Sequence, residues 1–401
     1  MPMVTDNFNI GVGLSTKRDY LQAVKEAIQQ ARTSIYRNKI DLAILFTSLE
    51  YAHPNTLNVI TSLLGTTPVI GCSSAAILSN KGIVSQGLAI MLICFPQSVY
   101  FNIASVAGMK AKTSLTAGEE LGEKLLSNFK APRRDLCLIL SNGSMQEGPN
   151  LISGLQERLG ISFPLIGSTA ADDLRMPKTN IYCNQELLSD AACGIVLGGK
   201  LNFGLGIKHG WKPLGKPRYV TRSVNNIVYE IDGISATNLY EDYFACDLAK
   251  LKKEVKRISM FYPIGIYLVS EKEYLLRNIL SIEDNGSLIL HGNVPQGSLI
   301  RLMIGSKESC LAATQAAIDE AKRTLLPRSA QFVLVFDSIS RYLLLGRGVH
   351  KELEILKANF GSDTPLMGIC TFSEQAPLKS IDYRGRAYFH NQTITVLAIG
   401  G

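Results

Sequence analysis

Three short segments of the sequence end in small and hydroxyl-bearing residues that could hold a small molecule. They begin at Pro68, Phe163 and Pro365 and read PVIGCSSA, FPLIGSTAADD and PLMGICT. Each contains a proline, two large apolar residues and a glycine, which favours a buried strand whose backbone turns at the glycine. Small side chains beyond the glycine would leave backbone N–H groups open, so we expect the three strand ends to wall one binding site. The hydroxyl groups there belong to Ser73, Ser74, Ser168 and Thr169.

Neither these segments nor the rest of the sequence contains a recognisable catalytic motif. The stretch from Gly71 to Ala75 approaches the G-x-S-x-G nucleophile motif but ends in alanine. The sequence has no phosphate-binding P-loop and no H-E-x-x-H metal motif, and its eight cysteines include no C-x-x-C pair. Five scattered histidines place no general base beside a nucleophile. The motifs therefore predict a protein that is not an enzyme, and a hydrolase using Ser73 is the disfavoured alternative.

Another glycine pattern lies near the amino terminus. Gly11 and Gly13 form a G-x-G at a point where a strand is expected to turn into a helix. Dinucleotide-binding loops carry a third glycine and a later acidic residue, and both are missing here. The fragment is therefore only a weak indication of nucleotide binding.

The elements around the three segments repeat. In each case an apolar strand precedes an amphipathic helix, a glycine ends the helix, and a proline follows within four residues. The sequence thus predicts an α/β protein in which helix–strand–helix–strand–strand units, at about 19–106, 114–200 and 309–399, form mixed sheets. Residues from about 203 to 301 are richer in strands and turns, and 245–257 are the best candidate for a linker helix between two halves.

Composition narrows the class of protein. The 401 residues are 46% hydrophobic and 19% charged, and no apolar stretch approaches the ~18 residues that a membrane helix needs. No secretory signal is visible at the start, so we expect a cytoplasmic protein. The net charge of +7 is dispersed, and the densest basic run, 250–257, has the composition of a solvated face. We therefore expect neither a membrane span nor binding to nucleic acid.

Several motifs together resemble the FIST family. In chain order they are PLIG at Pro164, HGWKPLG at His209, Val220-Thr221, Arg277 after a strand, GNVPQG at Gly292 and FHNQT at Phe389. The resemblance extends from about residue 20 to 399 and implies two lobes, a FIST N-like domain over 1–225 with two units and a FIST C-like domain over 226–401 with the third. Two positions depart from the family pattern: Ser338 stands where members often carry cysteine, and Ser373-Glu374 keeps only the acid of a Gly-Glu pair.

The resemblance implies a sensory protein of bacterial-type signal transduction that binds a small ligand, with amino acids among the proposed ligands. Ligands of open α/β sheets lie beyond the carboxyl ends of the strands, where the four hydroxyl residues named above fall. An arginine could clamp a carboxylate in bidentate fashion, and an acidic residue could face an ammonium group. The predicted ligand-binding set therefore adds Asp172, Asp173, Arg277, Arg341, Glu374 and Asn391 to the hydroxyl residues.

A haem-binding alternative also follows from the resemblance. Some relatives bind haem b and sense nitric oxide, which requires an axial ligand, usually histidine, in an apolar pocket. His209 and His390 lie inside family-like motifs, so one of them would be the axial ligand. The sequence carries no kinase, cyclase or receptor segment. We therefore expect the output to lie in a partner such as a histidine kinase, a cyclic-dinucleotide enzyme or a chemotaxis receptor.

Overall fold

The computed structural model describes residues 7–143, 148–172, 179–270, 272–378 and 386–401. Within them, the chain forms three units of one plan: strand, helix, strand, helix, strand, a two-stranded hairpin and a final strand. The first unit consists of β1 (Asn9–Ser15), α1 (Tyr20–Arg32), β2 (Leu42–Thr47), α2 (Pro54–Leu64), β3 (Val69–Ser73), β4 (Ala76–Ser79), β5 (Gly82–Val84) and β6 (Leu88–Cys94). The second consists of β7 (Val99–Ala107), α3 (Ser114–Ser127), β8 (Arg134–Ser141), α4 (Gly148–Leu159), β9 (Leu165–Thr169), β10 (Ile181–Cys183), β11 (Glu186–Leu188) and β12 (Ala191–Gly199).

The third unit is divided by an insertion after its first strand, β13 (Asn202–Lys208). The insertion consists of β14 (Trp211–Val224), β15 (Ile227–Ile231), β16 (Ile234–Ser235), α5 (Asn238–Phe244), α6 (Leu248–Phe261), β17 (Ile264–Leu268), β18 (Glu273–Arg277), β19 (Ile279–Ile282), β20 (Leu288–Leu290) and β21 (Leu299–Gly305). The unit then resumes with α7 (Lys307–Leu325), β22 (Ala330–Ser338), α8 (Ile339–Leu345), α9 (Val349–Phe360), β23 (Leu366–Thr371), β24 (Glu374–Pro377), β25 (Ala387–His390) and β26 (Ile394–Gly400).

The predicted α/β class with repeated units is confirmed, but each unit is larger than the sequence indicated. A strand precedes the first helix of every unit, and a hairpin precedes the last strand. The hairpin strands have only three or four residues, too few for a clear alternation of apolar and polar positions. The expected linker helix is α6, which packs into the core of the inserted sheet through Leu251 and Ile258.

The hairpin of each unit pairs with the sheet of another unit. The three six-stranded sheets have the orders β1-β6-β2-β3-β10-β11, β7-β12-β8-β9-β24-β25 and β13-β26-β22-β23-β4-β5. The hairpin of the second unit therefore completes the first sheet, that of the third unit completes the second sheet, and that of the first unit completes the third. The two strands that flank the second helix region of each unit are parallel, and the borrowed hairpin joins them antiparallel. No unit can complete its sheet alone.

The chain leaves each unit immediately after β3, β9 and β23, and the three strand ends bond to one another there. The backbone bonds run from Ala171 N to Ser73 O (3.0 Å), from Thr169 N to Ser373 O (2.8 Å) and from Ala75 N to Cys370 O (3.2 Å). We call these residues the strand-end ring. Backbone groups this deeply buried need partners inside the protein, and each unit obtains them from the next.

The largest hydrophobic core lies where the inner faces of the three sheets meet. It contains Phe46, Leu140 and Phe336, which come from β2, β8 and β22, the central strands of the three units. The helices cover the outer faces in separate clusters, and the inserted sheet has a core of its own. Among the described helices, none is long and apolar enough to cross a membrane.

Paired glycines allow a helix to lie close to the first strand in two of the units. Gly11 and Gly13 of β1 lie against the backbone of α1, and Gly204 and Gly206 of β13 lie in the same way against α7. A Cβ atom at any of these positions would overlap the carbonyl oxygen of a helical alanine. The G-x-G fragment is therefore explained by helix packing, without a nucleotide.

Replacing Gly206 by alanine should destabilise the fold because the new methyl group would overlap the carbonyl oxygen of Ala317. We expect the free energy of unfolding in urea to fall by about 2 kcal/mol or more, as for other overpacked sites. The control is Gly348→Ala, since Gly348 has a negative φ of −74° and a Cβ there would meet no atom within 4 Å. Equal stability of the two variants would contradict this account of the G-x-G pairs.

Candidate functional site

A pocket of about 360 Å³ opens where the second unit, the third unit and the insertion meet. We call it the junction pocket. It is lined by Gly143, Lys256, Ser259, Met260, Asn278, Ile279, Leu280, His291, Ile339, Ser340, Leu343 and Phe372. Gly143 follows β8, Ile339 and Ser340 follow β22, and Phe372 follows β23, so three strands direct their carboxyl ends towards it. This is the end of an α/β sheet at which ligands bind.

The lining of the junction pocket combines an apolar surface with a few polar groups. The apolar side chains belong to Met260, Ile279, Leu280, Ile339, Leu343 and Phe372. Leu280 and Leu343 are 41% and 46% exposed and form an apolar rim. No carboxylate is among the described residues that line the pocket. A volume of roughly 300–1,000 Å³ and a largely apolar lining with few polar groups are typical of small-molecule sites.

Three of the polar residues that line the pocket carry hydrogen-bond donors without a partner among the described residues. They are the ammonium group of Lys256, the hydroxyl of Ser340 and the side-chain amide nitrogen of Asn278. Lys256 is exposed on α6, whereas Ser340 is buried near the start of α8. A ligand in the pocket would therefore meet hydrogen-bond donors that the fold itself does not use.

A buried polar network connects the wall of the pocket to the strand-end ring. His291 Nδ1 lies 3.2 Å from Ser373 Oγ, and Asn391 Nδ2 donates to the same hydroxyl over 2.9 Å. Asn391 Oδ1 in turn accepts from the backbone N–H of Asn278 over 3.0 Å. Since Ser373 O accepts from Thr169 N within the ring, a displacement of His291 would reach residues that hold two sheets together.

Glu374 is fully buried in β24, one residue beyond the ring. Its carboxylate accepts hydrogen bonds from Thr371 Oγ1 (2.8 Å), Thr393 Oγ1 (2.7 Å) and Thr393 N (3.1 Å). Burial raises the pKa of Glu374 to about 7, although these bonds favour the charged form. Ser168 is paired with Glu374 across β9 and β24, and its hydroxyl has no partner among the described residues.

Arg341 is already saturated by side chains of its own unit. Its guanidinium is fully buried between Asp337 (2.6 Å) and Glu352, and it also donates to Thr314 Oγ1 (2.8 Å) and His209 O (3.1 Å). Burial and the neighbouring Glu352 raise the pKa of Asp337 well above its ordinary value. One guanidinium therefore faces two buried carboxyl groups, and burial of this cluster is compensated only while all three side chains are present.

Arg277 is the other buried arginine of the predicted set, and no carboxylate among the described residues pairs with it. Its donors meet only carbonyl oxygens, those of Leu276 (2.9 Å), Phe389 (2.8 Å) and Asn293 (3.2 Å). Burial lowers the pKa of Arg277 to about 9. Gly292 lies directly over the guanidinium, where a Cβ would come within 3.0 Å of the Cζ atom. The family-like glycine is therefore needed to cover this cation.

The predicted hydroxyl residues lie inside the fold and hold strands together. Ser73 Oγ accepts from Asn180 N over 2.9 Å, and the Ser73 N–H donates to Asn180 O over 2.9 Å. The Ser74 N–H donates to Thr47 O over 2.8 Å. Contrary to the expectation from the sequence, these backbone N–H groups beyond Gly71 are therefore not open. Asp172 is also buried, and Asp173 lies outside the described residues.

His209 and His390 line one small pocket of about 130 Å³ beside the third unit. His209 Nδ1 accepts from Trp211 N over 3.0 Å, and His390 Nε2 lies 2.9 Å from Ala376 O. Burial lowers the pKa of His209 to about 4 and that of His390 to about 3, so both rings are neutral near pH 7. Neutral imidazoles can ligate iron, and each ring has one nitrogen without a described partner. No group of three or more metal-binding side chains occurs in the described part of the chain.

A larger crevice of about 460 Å³ lies in the first sheet, at the end where β3 begins. Residues 65–68, before β3, and 183–186, at the turn between β10 and β11, form most of its lining. Most of the described lining residues are small or polar, and none of them is a large aliphatic or aromatic residue. The junction pocket therefore has the lining that is better suited to a small organic ligand.

None of the sequence-predicted site residues in the described part lines the junction pocket. Arg277 and Asn391 support its wall, and Ser168, Thr169 and Glu374 lie behind it in the strand-end ring and its surroundings. Lys256, His291 and Ser340 line the pocket and were not predicted from the sequence. Lys256 was assigned to a solvated face, and only its position one turn before Met260 on α6 could have indicated a pocket wall.

A concave pocket with a largely apolar lining, at the junction of repeated α/β units, is a feature of ligand-binding modules. Residues 41–234 match the FIST N domain, and residues 236–377 match the FIST C domain. The chain therefore belongs to the FIST family, whose members are sensory domains of signal-transduction proteins. The resemblance noted in the sequence is thereby confirmed.

Relatives of the chain occur in distant organisms. An uncharacterised protein of Methanocaldococcus jannaschii is 24% identical over 272 residues, which cover 64% of this chain and 51% of the relative. The chain thus spans about half the length of that protein. An uncharacterised protein of Mycobacterium bovis is 23% identical over 399 residues, covering 96% of this chain and 97% of the relative. Another, from Mycobacterium tuberculosis, is 21% identical over 333 residues and covers 80% and 81%.

Removing the guanidinium of Arg341 should destabilise the protein strongly, because Arg341→Met leaves two carboxyl groups buried together. We expect a loss of about 3–5 kcal/mol in the free energy of unfolding, measured by urea denaturation. Arg222→Met is the control, since the pair between Arg222 and Glu230 is solvent-exposed and should contribute about 1 kcal/mol or less. Similar losses in both variants would show that the buried cluster is not a stability element.

Stability should depend on pH through Glu374. Its pKa is raised from 4.5 to about 7 in the folded state, so the folded protein binds more protons than the unfolded chain between these pH values. Its contribution is fully present below pH 4.5 and is lost as the pH rises through 7. We expect the stability of the wild type relative to Glu374→Gln to fall by about 3 kcal/mol between pH 4.5 and pH 8. A constant difference across that range, measured by urea denaturation, would contradict the assignment.

Proposed function

We propose that this FIST protein is a sensor that binds a small metabolite in the junction pocket and signals through a separate partner. The observation that carries the proposal is the pocket itself. It has an apolar lining and unused hydrogen-bond donors, and it lies at the carboxyl ends of β8, β22 and β23. Amino acids are among the candidate ligands. A histidine kinase, a cyclic-dinucleotide enzyme or a chemotaxis receptor in the cytoplasm would be the partner.

The position of the pocket connects a bound ligand to the contact between the second and third units. Phe372 and His291 line it, and both adjoin Ser373, Phe372 as its chain neighbour and His291 through a hydrogen bond. Ser373 begins the crossing to the second unit, where β24 pairs with β9. A ligand that moves either wall residue would change the contact between two units, so hydrogen-bonded residues connect the pocket to a second unit.

A haem-binding sensor is the second candidate. The observation that favours it is that His209 and His390 share one pocket. Its volume of about 130 Å³ is smaller than the roughly 300 Å³ at which small-molecule pockets usually begin, so haem would require this region to open. Purified protein mixed with haem b should show a Soret band that Ala replacement of the ligating histidine abolishes. The hydrolase reading has less support, because the Ser73 hydroxyl is buried and bonded to Asn180.

The proposal is tested by filling the pocket. Ser340→Phe places a ring where the serine hydroxyl lines the cavity, and Ser127→Phe makes the same change on the exposed end of α3. A thermal-shift screen of the twenty amino acids, common carboxylic acids, nucleosides and haem b should give at least one ligand that raises the melting temperature of the wild type. We expect Ser340→Phe to weaken that ligand at least tenfold by calorimetry, and Ser127→Phe to leave it unchanged. Unchanged binding to Ser340→Phe would place the ligand elsewhere.

A further inference from the structure

We propose that the junction pocket takes an anion with an apolar body, such as an aryl or alkyl carboxylate, in preference to a zwitterionic amino acid. The inference rests on the proposed function and concerns the chemical class of the ligand. It depends on three features of the described residues: the type of the unused polar groups, the charges around the pocket and the extent of the apolar lining.

Each of the unused polar groups can donate a hydrogen bond, and of the three only the Ser340 hydroxyl can also accept one. Lys256 offers an ammonium group, Ser340 a hydroxyl and Asn278 an amide N–H, and none of them has a partner among the described residues. The amide oxygen of Asn278 is occupied by Gln392, and the hydroxyl oxygen of Ser259 accepts from the backbone of Ile279. A carboxylate or another anionic group can accept from several donors at once, and bonds of this type are about twice as strong as neutral ones.

The charged side chain in the described lining of the pocket is a cation, whereas the carboxyl group of Glu374 lies behind the wall. No carboxylate belongs to its described lining, and Lys256 has no ion-pair partner in the described part of the chain. Arg277, the residue before Asn278, is buried without a described counterion. An anion would be stabilised by these cations. The ammonium group of an amino acid would instead lose part of its hydration on entering the pocket without gaining a carboxylate, which costs free energy.

The rest of the cavity favours hydrocarbon. Met260, Ile279, Ile339 and Phe372 form walls with no polar side-chain atom, and the rim leucines extend the apolar surface to the mouth. Burying apolar surface contributes about 25 cal/mol per Å², so a ligand with a ring or an alkyl chain would gain most from this lining. The donors of Lys256, Ser340 and Asn278 would then bind the anionic end of that ligand.

The experiment uses four probes that share a phenyl ring on a four-carbon chain and differ in the polar end: 4-phenylbutyrate, 4-phenylbutanol, 4-phenylbutylamine and the amino acid 2-amino-4-phenylbutanoate. Their dissociation constants for the full chain are measured by calorimetry at low salt. We expect 4-phenylbutyrate to bind at least tenfold more tightly than each of the other three. Lys256→Met should remove most of that advantage. Lys253→Met, at an exposed position of the same helix outside the pocket lining, should preserve it.

The outcomes separate this inference from the proposed function. If the alcohol or the amine binds as well as the carboxylate, and Ser340→Phe abolishes that binding, the pocket is a ligand site but the preference for anions is wrong. If 4-phenylbutyrate binds equally to the wild type and to Ser340→Phe, it binds outside the pocket, and the inference is overturned. If none of the four probes binds while an amino acid from the wider screen does so in the pocket, the inference fails and the proposed function stands.

Discussion

The structure depends on the exchange of hairpins among the three units. After β3, β9 and β23 the chain crosses to a neighbouring unit, and buried backbone groups at the crossings must find hydrogen-bond partners there. The strand-end ring supplies them, each unit bonding to the next. At the first two crossings the side chains are small, namely the serine, threonine and alanine residues that follow Gly71 and Gly167. At the third crossing Phe372 follows β23 and lines the junction pocket.

The insertion removes the equivalence of the three units. It separates β13 from α7 and places an additional sheet, with α6 on it, against the carboxyl ends of strands from the second and third units. The junction pocket forms at that contact, with one wall from the repeated units and the other from the insertion. The repeated units therefore supply the strand ends of the pocket, while the insertion supplies Lys256, Ser259 and Asn278.

The two buried arginines show how environment decides the role of a residue type. Arg341 is held between Asp337 and Glu352, so its charge is neutralised inside the third unit and it serves stability. Arg277 meets carbonyl oxygens only, and its charge is not neutralised by a described carboxylate. It adds positive charge to the region behind the pocket wall. Both were equal candidates for a carboxylate clamp in the sequence, because the sequence does not indicate which acidic residues lie near each one.

The sequence by itself determined the elements that local periodicity controls. The amphipathic helices, the buried strands that lead to each proline-to-glycine segment, the repetition and the family are all evident in it. These features depend on side chains a few positions apart, which is the distance over which helices and strands repeat.

Only the tertiary structure decided which unit receives each hairpin and where the pocket lies. A strand of three or four residues is too short for its sequence to indicate which strand it pairs with, because backbone hydrogen bonding is chemically the same for every strand. The pocket residues Lys256, His291 and Ser340 are far apart in the chain and have ordinary surroundings in the sequence. Their common location follows from packing of the insertion against two units, which is a long-range property that no local pattern encodes.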